Sequence, residues 1–342
     1  MEQIVQKSMQ SARVLRKSFS SVPWRPDQPW KQPFYKWSSD SNEWQPLQTA
    51  HLCSPKSKIA KMAIYSWNID FMLPHGDARM NAALAHLEEL TSQHRSDENM
   101  AVVINLQECV PSDLFNIGQK PWIRENFYCT DIDTSTWGSS LYGTTTLVDR
   151  RLEISSCFRV HYSATKMERD ALFVDISLKS DKTIRLCNTH LESLALEPPL
   201  RPAQMNIIAT HMRDESISGA VVTGDFNAIQ PFDRTLHTDN ALEDVYLILG
   251  GEEGDGRGDD TGGYTWGQQA LPELRRLYGC SRMDKVYFCG DSLKVSEFER
   301  FGADVEPDHG EEDARRELLT IGFEKPWITD HLGVKAVFDI ID

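Results

Sequence analysis

The sequence has no run of the roughly 18 apolar residues that a helix needs to cross a membrane, so no membrane span is expected. It has no C-x-x-C pair. Its seven cysteines (Cys53, Cys109, Cys129, Cys157, Cys187, Cys280, Cys289) are scattered and odd in number. That pattern argues against a disulfide framework or a thiolate zinc site and for reduced, mostly buried thiols. A secretory hydrophobic region is missing too. Positive charge is scarce: 36 Lys and Arg face 51 Asp and Glu, for a formal net charge of −15. A cationic coat for nucleic acid is therefore excluded, and contact with a polyanion needs a local patch.

What is present is an ordinary globular composition, 40% apolar and 25% charged over 342 residues. Such a chain can bury a large core without staples. Two regions are expected. Residues 1–60 read as an arm, with Trp24, Trp30, Phe34, Tyr35, Trp37 and Trp44 among prolines and polar residues. So many aromatics call for a surface to pack on. The first 20 or so residues carry Lys7, Arg13, Arg16 and Lys17 against Glu2 alone, which fits a disordered leader or a mitochondrial presequence. Residues 61–342 alternate strand and helix patterns, as in α/β layers.

Met62–Trp67, Ala101–Leu106, Ala220–Thr223, Lys285–Phe288 and Val334–Ile340 read as strands. Leu172–Leu178 alternates with period two, and Thr183–Thr189 follows after the short polar turn Ser180-Asp181-Lys182, which suggests a hairpin. Met80, Ala83, Leu84, Leu87 and Leu90 give Asp77–Leu90 a helical period. Leu114–Asn126 is expected as one short helix, and Pro202–Arg213 as another with proline in its first turn. Residues 250–263 form a glycine-rich acidic loop, without the ligand order of a calcium-binding EF-hand.

Five apolar strands end in polar residues: Trp67-Asn68-Ile69-Asp70, Leu106-Gln107-Glu108, Asn188-Thr189-His190-Leu191-Glu192-Ser193, Gly224-Asp225-Phe226-Asn227 and Thr329-Asp330-His331. Strand ends support side chains rigidly beside loops, where sites form. If the strand continues past Asp225, Asn227 points to the same side. Taken singly, each motif is as well read as a turn, a helix cap or a core histidine. As a set they meet the needs of phosphoester hydrolysis. Glu108 and Asp330 offer hard oxygens to a magnesium ion. Asp225 can take a proton from water, while Asn227 or Asn68 fixes the water or a phosphate oxygen. His190 and His331 can donate to a pentavalent phosphorus, with Ser193 adding one more donor. Asp330 or Asp284 would keep a histidine oriented and protonated.

In this order, with Met283-Asp284-Lys285-Val286 between the last two, the motifs resemble the endonuclease/exonuclease/phosphatase superfamily over residues 62–342. Within it, Trp-Asn-Ile-Asp, Asn-Thr-His-Leu-Glu-Ser, and Tyr264-Thr265-Trp266 after a glycine-rich loop look most like the 5′-tyrosyl-DNA phosphodiesterases. The resemblance implies an α/β fold, a four-layer αββα sandwich of two mixed β-sheets flanked by helices, with the site at one end of the sheets. It implies Mg2+, with Mn2+ as a substitute, on Glu108 and Asp330. It implies Asp225, Asn227 and Asn68 at the attacking water, and His190, Ser193 and His331 on the scissile phosphate. Asp284 would orient His331. Trp266 would stack a substrate base, or else be a core tryptophan. Arg169, Arg201 and Lys285 are the cations near the motifs that would track a nucleic-acid backbone.

The expected function is magnesium-dependent phosphodiester hydrolysis that releases 5′-tyrosyl or similar adducts from DNA ends, in DNA repair. A monomer in the nucleus or cytoplasm is expected, mitochondria being the alternative. The acidic charge favours a second reading, a hydrolase of a small or lipid phosphoester. A non-catalytic binding module on the same fold is the third.

Overall fold

Two sheets stack face to face because their strands are apolar on both sides, as strands covered on both faces must be. The computed structural model describes residues 22–49, 59–178, 182–254 and 262–341. The arm supplies β1 (Trp30–Lys31), β2 (Phe34–Ser38) and β3 (Glu43–Leu47). Then follow β4 (Lys61–Asn68), α1 (Gly76–Ser96), β5 (Met100–Cys109), α2 (Pro111–Gln119), α3 (Pro121–Asn126) and β6 (Phe127–Cys129). Next come β7 (Gly143–Asp149), β8 (Glu153–His161), β9 (Asp170–Ser177), β10 (Thr183–His190), α4 (Arg201–Met212), β11 (Gly219–Asp225) and β12 (Glu243–Asp244). The chain closes with α5 (Pro272–Tyr278), β13 (Asp284–Cys289), β14 (Leu293–Phe301), α6 (Glu312–Ile321) and β15 (Gly333–Ile340).

One sheet has seven strands in the order β1-β8-β9-β10-β11-β13-β12, and the other eight, β14-β15-β4-β5-β7-β6-β2-β3. Both are mixed: β10–β11 and β4–β5 are parallel and their other neighbours antiparallel. Met62, Ile64, Val103, Val174, Leu186, Val221 and Ala336 fill the space between the sheets. On the outer face of the eight-stranded sheet, Met80, Leu84 and Leu87 of α1, Leu114 and Ile117 of α2 and Ile123 of α3 pack on Tyr65, Val102 and Ile104. On the outer face of the seven-stranded sheet, Met205, Ile208 and Met212 of α4 pack on Phe173, Cys187 and Val222. The result is the expected four-layer αββα sandwich.

The expected Leu114–Asn126 helix is two helices. Pro121 bars the preceding residue from helical geometry, and Lys120 is extended, with φ −72° and ψ 122°. The arm does more than lay aromatics on a surface. It adds β1 to one sheet and β2–β3 to the other, while Trp24 stacks on His161 with centroids 3.9 Å apart and Phe34 is fully buried. The hairpin β9–β10 pairs in register from Ser177 and Thr183 to Ala171 and Thr189. Ser180 and Asp181 of its expected turn, the leader, Cys53 and the middle of the acidic loop lie outside the described residues. Among those residues the other six cysteines are free thiols, and no helix is long and apolar enough to cross a membrane.

Beneath one end of the sandwich the sheets are joined by a polar layer. Gln107 donates to Asn188 Oδ1 at 2.8 Å and to Ser66 Oγ at 3.0 Å. Asn105 donates to Thr223 Oγ1 at 2.7 Å and accepts from Thr146 at 2.8 Å. Buried amides that hydrogen-bond across the gap favour one register between two otherwise greasy faces. This layer carries the strand ends that follow.

Candidate active site

Two of the motifs reach the site by a local distortion of their strands, and Thr329-Asp330-His331 reaches it from the loop before β15 rather than from a strand end. β11 ends at Asp225 after Gly224, whose φ is +149°. A Cβ there would lie 1.8 Å from the Thr189 carbonyl oxygen, so no other residue fits. The chain does not stay extended afterwards. Asn227 is left-handed, with φ 48°, and a turn rather than strand period brings it back, its N–H donating to Asp225 Oδ1 at 2.8 Å. In β5 the ladder to β7 shifts register between Leu106 and Cys109, and Glu108 has φ 58°. Such a bulge re-aims a side chain; here it turns Glu108 toward the site.

Asp225 is the hub. Asn68 Nδ2 donates to its Oδ2 at 2.9 Å. His190 Nε2 lies 3.3 Å and His331 Nε2 3.8 Å from the same oxygen. His190 Nε2 is also 3.7 Å from Glu108 Oε1. Asp284 Oδ2 sits 2.9 Å from His331 Nδ1, and Asp330 Oδ1 is 3.8 Å from His331 Nε2. Ser193 donates to Asn227 Oδ1 at 2.8 Å, and Asn227 Nδ2 donates to the Leu191 carbonyl at 3.0 Å. Nine of the ten residues singled out in the sequence thus form one contiguous constellation with Asp225 at its centre, and the tenth, Trp266, joins it through Asp330.

The two histidines are held in opposite states. Burial disfavours charge on both. At His331 the carboxylates of Asp284 and Asp225 outweigh burial and raise its pKa well above the usual value. At His190 burial, reinforced by the neighbouring Arg169 guanidinium, keeps the pKa low against Asp225 and Glu108. Arg169 Nη1 contacts His190 Nδ1. A guanidinium only donates, so Nδ1 is the acceptor and the ring proton is on Nε2, facing Asp225. Burial would raise the Asp225 carboxyl, but His331 and His190 outweigh it and keep it ionised.

A second corner gathers carboxylates. Asp70 lies with Asp330, and burial and then the Asp330 charge push its pKa up to about 6. Burial, with Glu108 and Asp225 adding to it, raises Asp330 as well. Crowded carboxylates are a donor set for a hard cation, which would relieve that repulsion. A tighter group of possible ligand atoms, from Asp225, Asp284 and His331, lies within 4.8 Å of one another. The His331 ring nitrogens already face carboxylates on both sides, Asp284 at Nδ1 and Asp225 at Nε2, so an ion there would have to displace one of those contacts. Glu108 and Asp330 offer hard carboxylate oxygens of the kind a divalent cation takes.

Several expectations change at the site. Trp266 is 8% exposed and donates its indole N–H to Asp330 Oδ2 at 2.7 Å, so the ring is pinned beside Ala270 and Met283 with little face left for a base. Arg201 and Lys285 are each 2% exposed and cannot track a nucleic-acid backbone. Arg201 forks onto Asp233 and holds the Glu192 and Leu194 carbonyls on either side of Ser193. Lys285 pairs with Glu253 at 3.0 Å. Arg169 is buried as well, but it lies at the site and lines, with Tyr142, Glu168 and His190, a recess of about 210 Å³ including its open mouth. The sequence reading gave no role to Asp70, although it closes the Trp-Asn-Ile-Asp motif, nor to the Phe71 amide, which donates to Glu108 Oε2 at 2.9 Å. Arg79 was missed too. Its signal was an arginine at helical spacing among Met80, Ala83, Leu84 and Leu87.

A model described as "Endonuclease/Exonuclease/phosphatase family" matches residues 65–331. No curated protein matches the sequence significantly. Among solved structures, zebrafish (D. rerio) TDP2 complexed with a single-strand DNA product is similar at 16% identity, with a TM-score of 0.59 over 82% of this chain and 99% of that one. Truncated Caenorhabditis elegans TDP2 is similar at 19% identity, TM-score 0.59, over 82% and 97%. The human Nocturnin catalytic domain with bound sulfate is similar at 17% identity, TM-score 0.53, over 82% and 95%. At these identities the likeness is one of fold.

Proposed function

Because the chain belongs to the endonuclease/exonuclease/phosphatase family, and is a phosphoric ester hydrolase, we propose that it cleaves a phosphodiester with water and magnesium, and that its substrate is a 5′ adduct on a DNA end. The observation that carries the reading is the convergence of Asn68, His190 and His331 on the Asp225 carboxylate, at 2.9, 3.3 and 3.8 Å, beside the carboxylates of Glu108 and Asp330.

Asp225 and Asn227 align the attacking water, with Asn68 holding the Asp225 carboxylate in place. Asp225 accepts the proton as the new P–O bond forms; its weak basicity makes alignment the larger part of its work. The His331 N–H and the His190 Nε2–H donate to the phosphate oxygens where charge gathers. Asp284 keeps the His331 proton in place. Ser193 orients Asn227. Glu108 and Asp330 would hold magnesium, which would supply charge neutralisation at the phosphate.

Two lines support the DNA end: the motif resemblance to 5′-tyrosyl-DNA phosphodiesterases, and the fold likeness to zebrafish TDP2, itself solved with a single-strand DNA product. One observation favours a small or lipid ester instead. Arg201 and Lys285, two of the three cations near the motifs, are buried in ion pairs, which leaves few to follow a backbone. Turnover of a 5′-phosphotyrosyl oligonucleotide with magnesium, falling steeply as salt rises, supports the DNA reading. Turnover of small diesters alone, insensitive to salt, replaces it with the second.

A further inference from the structure

Arg79 stands in the first turn of α1 and is 2% exposed, yet among the described residues it forms no ion pair with a carboxylate. Its guanidinium donates to five backbone carbonyls: Pro74 at 2.9 Å, Ile69 at 2.7 Å, Asp70 at 2.8 Å, Leu73 at 2.9 Å and Ile328 at 2.7 Å. Five donors meet five acceptors, so the hydrogen-bonding capacity of the group is filled. A buried charge spent wholly on main chain is costly unless the geometry it fixes has a use.

The five carbonyls belong to two segments far apart in sequence. Four lie in the loop after β4, which leaves the strand through left-handed Asp70, φ 55°. That loop presents the Phe71 amide to Glu108 Oε2 at 2.9 Å. The fifth, Ile328, stands two residues before Asp330. Thr329 ties the same stretch back to the Asn68 carbonyl at 2.9 Å. One guanidinium therefore sits between the peptide that orients Glu108 and the peptide that carries Asp330. Its charge is felt by Asp70, Asp113, Glu108 and Asp330, in that order of strength.

We infer that Arg79 is the positioning residue of the metal site: it sets the separation of the Glu108 and Asp330 carboxylates through the two backbone segments it clamps, and so tunes cation affinity without touching cation or substrate. The inference rests on the proposed metal reading of those two acids. Lysine keeps the charge but offers three donors on one atom, which cannot span both segments.

The test uses the full chain and Mn2+ alone, with binding read by electron paramagnetic resonance in the absence of substrate. Arg79→Lys, Glu108→Gln and the unaltered protein are compared, each checked for fold by circular dichroism and Tm. The expected result is a folded Arg79→Lys whose Mn2+ dissociation constant rises about tenfold or more, with metal-saturated kcat falling less than kcat at low metal. A folded Arg79→Lys that binds Mn2+ like the unaltered protein overturns the inference, provided Glu108→Gln binds weakly. If Glu108→Gln also binds normally, the metal reading itself has failed. Should Arg79→Lys not fold, Arg79→Ala refolded with methylguanidinium carries the same claim. Recovery of Mn2+ affinity together with fold supports it; recovery of fold without affinity overturns it.

Discussion

His331 Nδ1 lies 2.9 Å from Asp284 Oδ2, both side chains buried, with the opposite ring nitrogen turned toward Asp225. One acid thus holds the proton while the other face of the ring meets the reacting centre. Asp284→Asn keeps the shape but removes the charge that holds the proton. Turnover is expected to fall by roughly 100- to 1,000-fold, the loss seen when a preorganised donor is removed. KM should change little. A steady-state comparison checks this, and an unchanged kcat would show that His331 does not donate in the transition state.

Asn68 contributes through geometry. Its Nδ2 holds Asp225 Oδ2 and its Oδ1 accepts from the Asp70 amide at 2.9 Å. Asn68→Ala frees both groups, and kcat/KM is expected to drop by roughly 100-fold from misalignment. Stability should move by no more than about 1–3 kcal/mol, the cost of leaving a buried partner unmatched. Kinetics paired with urea unfolding separates the two effects; a stability loss without a kinetic one would remove Asn68 from the reaction.

Arg159 anchors the arm and the two sheets together. It is fully buried, pairs with Asp131 at 3.0 Å and Asp170 at 2.8 Å, and donates to Gln32 of the arm at 3.2 Å. Arg159→Met strands two buried carboxylates. Unfolding free energy should fall by about 3–5 kcal/mol, read from urea denaturation. A loss under 1 kcal/mol would mean that water reaches the acids and the network is not a clamp.

Glu253 gives a pH dependence away from the reacting centre. Burial would raise its carboxyl, but Lys285 and Arg282 outweigh burial and lower its pKa to about 2. Because the folded pKa is depressed, its contribution is present above the unfolded value near 4.5 and is lost as pH falls toward 2. Glu253→Gln should therefore be less stable than the unaltered protein at pH 7, and the gap should close between pH 4.5 and 2. Urea titrations across that range check the sign; a gap that widened with acid would reverse it.

Much of the candidate site was legible because Asn68, Glu108, His190 and Asp225 stand at or beside the ends of the strongly patterned strands β4, β5, β10 and β11 and could be read off as polar tips. Asp330 and His331 were read as a strand end too, but they lie in the loop before β15. The convergence of these residues could not be read off, since it depends on the left-handed turns at Glu108 and Asn227 and on the interlocking of Asn105, Gln107 and Asn188 between the sheets. β7 escaped notice for a related reason: Thr144, Thr145 and Thr146 make a strand whose buried side is polar, so apolar periodicity is faint. Arg201 and Lys285 looked like surface cations because a sequence does not reveal a buried partner such as Asp233 or Glu253. The same blindness hid Arg79, whose partners are backbone carbonyls that no pattern of side chains announces.

The most direct test of the account is hydrolysis in 18O-labelled water of the phosphodiester the protein turns over, with magnesium present. Direct attack of water aligned by Asp225 predicts one 18O atom in the phosphate product, none in the released alcohol or phenol, and loss of turnover in Asp225→Asn. Label in the alcohol or phenol, or full turnover in Asp225→Asn, would contradict it.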